Sequence, residues 1–182
     1  MKSKLINVIG LGYIGLPTAA ILANHGYDVL GTDKSHNVVK EINKGKAHIF
    51  EPDLETSVRS AVVSGRLKTS TLYQAADIYI ICVPTPICEV NGVSVPDIKS
   101  VVDAAKSIGK HLKPGNLVIL ESTSPVGTTE QIESVFRDAG APVDQVHIAY
   151  CPERVLPGKI MIELVENDRI IGGLTANATS AV

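Results

Sequence analysis

The chain has 182 residues, of which 45% are hydrophobic and 20% charged, and its formal net charge is −2. Such a chain buries a core without disulfides or a metal, so we assign no metal site, and without a basic block we expect no nucleic-acid partner. The odd count of three cysteines, the lack of a secretory signal and the lack of any apolar run near ~20 residues predict a cytoplasmic protein without membrane contact.

Apolar runs alternate with amphipathic stretches along the chain. We predict strands at 4–9, 28–32, 78–83, 116–120, 146–150 and 169–171. We predict helices at 12–25, 37–43, 52–63, 96–112 and 128–139, and the stretch 174–182 that follows the last strand is small and polar. Apolar strands that alternate with helices form parallel sheets covered on both faces. The pattern therefore predicts an α/β fold with a doubly wound, mainly parallel sheet and helices on both faces.

A glycine fingerprint lies between the first predicted strand and the first predicted helix. Gly10 permits a tight turn, Gly12 lets the backbone approach a pyrophosphate, and Gly15 allows the helix to pack closely on the strand. Asp33 ends the next strand, 18 residues after Gly15, where an acid bonds ribose hydroxyls and repels a 2′-phosphate. The sequence thus predicts a Rossmann domain that binds NAD rather than NADP. Lys34 is the one nearby charge that would instead favour the 2′-phosphate of NADP. A Rossmann-like fold for another ligand, such as a flavin, is the alternative.

Three further segments follow predicted strands, at the sheet edge where doubly wound folds bind ligands. The turn 83–86 contains Thr85 between two prolines, and 121–129 carries five hydroxyl side chains, more than one helix cap requires. The segment 150–159 carries Glu153 and Arg154. The alternatives are an ordinary strand-exit turn, a capping loop and a surface ion pair, respectively.

Together, five stretches resemble the UDP-glucose/GDP-mannose dehydrogenase family. They occur in the family's order and read VIGLGYIGLPTA, HIFEPDL, ICVPTP, ESTSPVGTT and YCPERVLPGK. The last stretch, followed by NDRIIGG, is most similar to the branch of the family that acts on UDP-N-acetyl-D-mannosamine.

The resemblance implies an activity and an architecture. Family members oxidise the 6-hydroxyl of a UDP-sugar to a carboxylate with two NAD, through a thioester on a cysteine, and supply sugars for cell-surface polysaccharides. Residues 1–182 would form the NAD-binding domain, without the linking helix and the UDP-binding domain. The full-length family protein is expected to be a homodimer.

The resemblance also implies residue roles. Thr123 would contact NAD and orient a catalytic water, and Glu153 would act as the base for thioester hydrolysis near the sugar. The other expected contacts to NAD come from the glycines and from Tyr13, Ile14, Asp33 and Thr85. Arg154 and Val155, with Glu153, would line the sugar site.

Part of the family's machinery has no match in this chain. The nucleophilic cysteine lies in a glycine-rich motif that is not present, and Cys82, Cys88 and Cys151 are in unsuitable surroundings for a nucleophile. The family's catalytic lysine is also absent, so we expect this chain alone to be inactive. Two alternatives remain open: oxidation of UDP-N-acetylglucosamine or UDP-glucose, and a non-catalytic NAD-binding module.

Overall fold

The computed structural model describes residues 4–182, so the first three residues of the predicted domain lie outside the described part. The strands are β1 (Leu5–Ile9), β2 (Asp28–Thr32), β3 (Leu67–Ser70), β4 (Ile78–Ile81), β5 (Ile87–Val90), β6 (Val93–Pro96), β7 (Leu117–Leu120), β8 (His147–Tyr150) and β9 (Gly172–Gly173). The helices are α1 (Gly15–Asn24), α2 (His36–Asn43), α3 (Leu54–Val63), α4 (Lys99–Gly109), α5 (Thr128–Asp138), α6 (Ile160–Glu166) and α7 (Ala176–Ala181), with a 3₁₀ turn at Val143–Gln145.

Seven strands form one sheet in the order β3-β2-β1-β4-β7-β8-β9. All neighbours pair in parallel except β9, which runs antiparallel to β8. The chain winds outward from β1 through β2 and β3 and then returns to form β4 on the other side of β1. The prediction of a doubly wound, mainly parallel sheet is therefore confirmed. The reversal between β1 and β4 places a crevice at the carboxyl ends of these strands.

Each face of the sheet is covered by a separate apolar core, because side chains alternate along a strand. In β4, Ile80 packs with helices α1 and α3, while Tyr79 and Ile81 pack with α4 and α5. Ile6 and Val8 of β1 join the first core. Both faces are buried, which explains why the central strands are almost continuously apolar.

The structure corrects several predicted elements. The last strand is β9, not 169–171, and the stretch 174–182, to which no element was assigned from sequence, contains α7, whose first turn is capped by the Thr175 hydroxyl (3.1 Å from Ala178 N). Helices α1, α3 and α4 begin two or three residues later than predicted. The sequence analysis did not predict β3 or α6, nor the hairpin formed by β5 and β6.

Candidate functional site

Two adjoining cavities lie at the carboxyl ends of the central strands. The first, of about 330 Å³, is here called the Glu153 cavity and is lined by Gly12, Tyr13, Ile14, Cys82, Val83, Pro84, Thr85, Glu121, Ser122, Thr123 and Glu153. The second, of about 290 Å³, is the Asp33 cavity and is lined by Ile9, Gly10, Gly12, Thr32, Asp33, Lys34, His48, Tyr73, Cys82, Val83, Pro84, Ser100, Asp103 and Ala104. They share four lining residues, so one elongated ligand can occupy both.

The glycine turn, residues 10–15, separates the cavities, and its three glycines differ in what surrounds them. Gly10 has φ +87°, and a Cβ there would lie 2.7 Å from the Cys82 carbonyl oxygen. A Cβ on Gly15 would lie 1.8 Å from the Gly10 carbonyl oxygen. A Cβ on Gly12 would meet nothing within 4 Å. The protein itself requires Gly10 and Gly15, whereas the space at Gly12 stays open for a ligand.

The Asp33 carboxylate holds the glycine turn and also faces its cavity. Asp33 Oδ2 accepts a hydrogen bond from Leu11 N–H (2.9 Å), and Oδ1 accepts one from Ser35 N–H (2.8 Å). A carboxylate has about four acceptor positions, so two remain for ligand hydroxyls. The aromatic rings of His48 and Tyr73 line the same cavity. Loss of solvent lowers the pKa of His48, and the nearby Asp33 charge, which would raise it, only partly offsets this effect. The lowered pKa favours a neutral ring.

The hydroxyl side chains of 121–129 tie this loop to its neighbours. Thr85 Oγ1 donates to the Thr123 carbonyl oxygen (2.7 Å), and Ser122 Oγ donates to that of Val83 (2.7 Å). Within residues 4–182 no side chain caps α5, and the Thr128 hydroxyl donates backward to the Pro125 carbonyl oxygen (2.7 Å). The interpretation as a simple capping loop is therefore wrong. The Thr123 side chain remains exposed at the Glu153 cavity.

A buried ionic cluster forms part of the wall of the Glu153 cavity, which Glu121 and Cys82 line. Glu121, which is only 3% exposed, accepts hydrogen bonds from the Arg169 guanidinium, the Cys82 thiol (3.1 Å) and the Thr18 hydroxyl (3.3 Å). Arg169 also donates to the Cys151 carbonyl oxygen (3.1 Å). Burial raises the pKa of the Cys82 thiol well above its usual value, and the nearby Glu121 charge raises it further. Cys82 thus stays a protonated donor.

The Glu153 loop, residues 151–160, is held by side chains from other segments. Both Glu51 oxygens accept backbone hydrogen bonds, from Gly158 N–H (2.8 Å) and Ile160 N–H (2.8 Å). The remaining ties join Glu163 to Leu156 N–H (2.8 Å), Asn167 to the Arg154 carbonyl oxygen (2.6 Å) and Arg169 to Cys151. Glu153 itself is half-buried and accepts from Val155 N–H (3.1 Å). These ties fix the loop from both sides of Glu153.

The two cavities bring together most of the side chains singled out from sequence. Gly15, at the end of the glycine turn, Arg154 and Val155 are not among the residues that line either cavity. Arg154 forms no ion pair within residues 4–182, so the structure gives no support to the surface ion-pair interpretation of this segment. Sequence analysis gave Glu121 and Arg169 no role. A carboxylate directly after the apolar strand LVIL was the signal for Glu121, whereas nothing local indicates Arg169.

Comparison with known proteins identifies the family. Residues 4–182 match the family model described as the NAD-binding domain of the UDP-glucose/GDP-mannose dehydrogenase family. The chain belongs to this family. The match covers both cavities and the glycine turn, and the family's cofactor is therefore NAD.

Three relatives illustrate the similarity. A UDP-N-acetyl-D-mannosamine dehydrogenase of Yersinia pestis is 50% identical over 99% of this chain, and an NDP-N-acetyl-D-galactosaminuronic acid dehydrogenase of Ralstonia nicotianae is 46% identical over 98%. The solved UDP-N-acetyl-mannosamine dehydrogenase of Staphylococcus aureus superimposes with a TM-score of 0.90 at 41% identity, over 97% of this chain. The chain spans 44% of the length of each of the two sequence relatives and 43% of the solved one. No helix within residues 4–182 is long and apolar enough to cross a membrane.

Proposed function

We propose that this chain is the cofactor-binding part of an NAD-dependent dehydrogenase that oxidises the 6-hydroxyl of UDP-N-acetyl-D-mannosamine to the uronate. The supporting observation is the pair of adjoining cavities, with Asp33 in one and Thr123 and Glu153 in the other. The similarity to UDP-N-acetyl-D-mannosamine dehydrogenases over nearly the whole chain favours this substrate. The product would serve cell-surface polysaccharide synthesis, in the cytoplasm.

The glycine turn would hold the middle of the dinucleotide. Open space at Gly12 admits the pyrophosphate, and the start of α1, with Tyr13 and Ile14, offers backbone N–H groups and the positive end of the helix dipole. Asp33 would accept hydrogen bonds from the ribose hydroxyls of the adenosine half. The nicotinamide half then extends into the Glu153 cavity, beside Thr85 and Thr123.

The Glu153 cavity would be the place of reaction. NAD supplies the hydride acceptor for both oxidations. Glu153 would remove a proton from the water that hydrolyses the thioester, and Thr123 would orient that water. The hydrogen bond from Val155 N–H (3.1 Å) holds one Glu153 oxygen and leaves the other for water. Arg154 and Val155, which follow Glu153 in the loop, would contact the sugar.

Residues 1–182 would form one NAD-binding domain of a longer protein that acts as a homodimer. The cysteine nucleophile and the lysine acid/base would come from the remainder, as would most of the UDP pocket. Cys82 and Cys151 are buried within this chain, which agrees with that assignment. UDP-N-acetylglucosamine and UDP-glucose are the alternative substrates. The Ralstonia relative adds an N-acetylgalactosamine derivative to the substrates worth testing.

The first experiment tests the cofactor. Calorimetric titration of the chain with NAD and NADP should show tighter binding of NAD, because the Asp33 carboxylate accepts from ribose hydroxyls and repels a 2′-phosphate. Equal or tighter binding of NADP would contradict the role of Asp33 and indicate that Lys34 dominates.

The second experiment tests the reaction in the full-length protein. NADH absorbance across a panel of UDP-sugars should show fastest turnover with UDP-N-acetyl-D-mannosamine. Turnover of none of them would favour the non-catalytic NAD-binding module.

The Glu153→Gln variant of the full-length protein tests the hydrolytic base. It should give a burst of NADH followed by steady turnover that is slower by ~10²–10⁴-fold, the usual range for loss of a positioned base. Mass spectrometry of the quenched protein should detect the thioester. Parent-like turnover, or no burst and no adduct, would exclude Glu153 as the base.

A further inference from the structure

The Glu121–Arg169 ion pair lies where it can set the charge of the Glu153 cavity. The Glu121 side chain is 4% exposed and that of Arg169 is 25% exposed, and Glu121 lines the cavity whereas Arg169 is not among its lining residues. Glu153 is the other ionisable carboxyl in the lining. Neither a lysine nor an arginine is among the described residues of that lining. Arg169 is therefore the cation that balances Glu121.

Burying the Glu121–Arg169 ion pair costs free energy, which points to a functional role for its charges. Arg169 Nε is buried and has no hydrogen-bond partner among residues 4–182. A buried ion pair with an unsatisfied N–H is typically no more stable than apolar residues of the same volume. Burial lowers the pKa of the Arg169 guanidinium, but its hydrogen bond and charge interaction with Glu121 outweigh this and raise it. The Arg169 guanidinium thus stays protonated.

The two forms of the cofactor differ in charge at the nicotinamide ring, which is cationic in NAD⁺ and neutral in NADH. A carboxylate without a partner at this cavity would bind the oxidised form preferentially, and a guanidinium without a partner would disfavour it. We propose that Arg169 balances the affinities for NAD⁺ and NADH by neutralising Glu121. This inference rests on the proposed function, which places the nicotinamide in the Glu153 cavity.

Similar affinities for NAD⁺ and NADH suit a reaction that uses two NAD⁺ in succession. After the first oxidation, NADH has to leave before the second NAD⁺ binds. A neutral pair at the wall keeps the oxidised form from binding too tightly and lets the two forms exchange. Arg169 also ties Glu121 to the backbone of the Glu153 loop, at Cys151, so the pair is held in one place.

The test is the ratio of dissociation constants, Kd(NAD⁺)/Kd(NADH), measured by calorimetry on the chain and its variants. Glu121→Gln keeps an acceptor for Arg169 but leaves the guanidinium charge unbalanced, so the ratio should rise by about three- to tenfold. Glu121→Gln combined with Arg169→Met removes both charges, and the ratio should return to that of the parent chain. Glu121→Gln with Arg169→Lys keeps the excess positive charge and should behave like Glu121→Gln alone.

Glu55→Gln is the matched control, because it removes the carboxylate partner of an arginine, Arg59, on the surface of α3 (3.1 Å). Its ratio should equal the parent value. An unchanged ratio in the charge-unbalanced variants, or a raised ratio that persists when Arg169 is replaced by Met, would overturn the inference while leaving the proposed function intact. If the parent chain binds neither NAD⁺ nor NADH, the proposed function fails, and this inference fails with it.

Discussion

The glycine turn and the Glu153 loop are shaped in opposite ways. The turn, residues 10–15, depends on side chains that are missing, since a Cβ at Gly10 or Gly15 would overlap backbone oxygen atoms. The loop, residues 151–160, depends on side chains that reach its backbone from other parts of the chain, such as those of Glu51 and Arg169. Adding a single methyl group should therefore damage the turn. The loop should instead be damaged by removing an acceptor far away in sequence.

Gly15→Ala should have the largest effect on stability. The added Cβ would lie 1.8 Å from the Gly10 carbonyl oxygen, and backbone atoms cannot move aside as a flexible side chain would. We expect a loss of about 3 kcal/mol in the free energy of unfolding, the upper end for overpacking. Urea denaturation followed by circular dichroism measures it. Stability close to that of the parent chain would mean that the turn relaxes more easily than its contacts indicate.

Gly12→Ala should separate binding from folding within the same turn. Nothing lies within 4 Å of the added Cβ, so the unfolding curve should match that of the parent chain. The methyl group would occupy space needed by the pyrophosphate, and calorimetry should show NAD binding weakened by about tenfold or more. Undiminished affinity would place the pyrophosphate elsewhere.

Glu51→Gln tests the side-chain ties of the loop. The amide keeps one acceptor oxygen, but its NH₂ group would face an N–H of the loop, at Gly158 or Ile160, and leave it without a partner. The cost should be about 1–3 kcal/mol. Hydrogen exchange monitored by mass spectrometry should accelerate in peptides from the Glu153 loop and stay unchanged in those from the glycine turn. Equal acceleration in both regions would show that the variant loosens the whole domain.

Glu55→Gln should have the smallest effect and calibrates the others. Glu55 pairs with Arg59 one turn away on α3 (3.1 Å), and both side chains are more than half exposed. Such pairs contribute about 0.3–0.5 kcal/mol. Neither the unfolding curve nor NAD binding should change measurably. A loss of stability as large as that of Glu51→Gln would mean that the burial of Glu51 does not explain its effect.

Sequence predicted the parts of the molecule whose determinants are local. Five of the six predicted strands and the glycine turn carry their signals within a few residues, which is why their positions agree with the structure to within two residues. Helix α6 was not predicted because its first N–H, at Ile160, is capped by Glu51, which lies 109 residues away in sequence. The hairpin of β5 and β6 was missed despite a local signal. Asn91 and Gly92 both have positive φ (53° and 77°), as the Asn-Gly turn of a two-residue hairpin requires.

The residues of the candidate site also differ in whether a local sequence signal marks them. Asp33, Thr85, Thr123 and Glu153 follow strands or lie in motifs, and those positions were enough to select them as candidates. Arg169 follows α6 and reaches Glu121 only through the tertiary fold. No pattern of neighbouring residues marks it, because its partner is 48 residues away. Ion pairs of this kind become visible only once the strands are placed in order.

The double use of Asp33 restricts how this protein can be re-engineered to accept a different dinucleotide. Its two carboxylate oxygens already accept from Leu11 N–H and Ser35 N–H, so the residue that we propose to exclude a 2′-phosphate also supports the turn. Replacement by a small neutral residue would admit the phosphate and at the same time leave two backbone donors without partners. A successful exchange of cofactor preference therefore requires compensating changes around Leu11 and Ser35, not a single substitution.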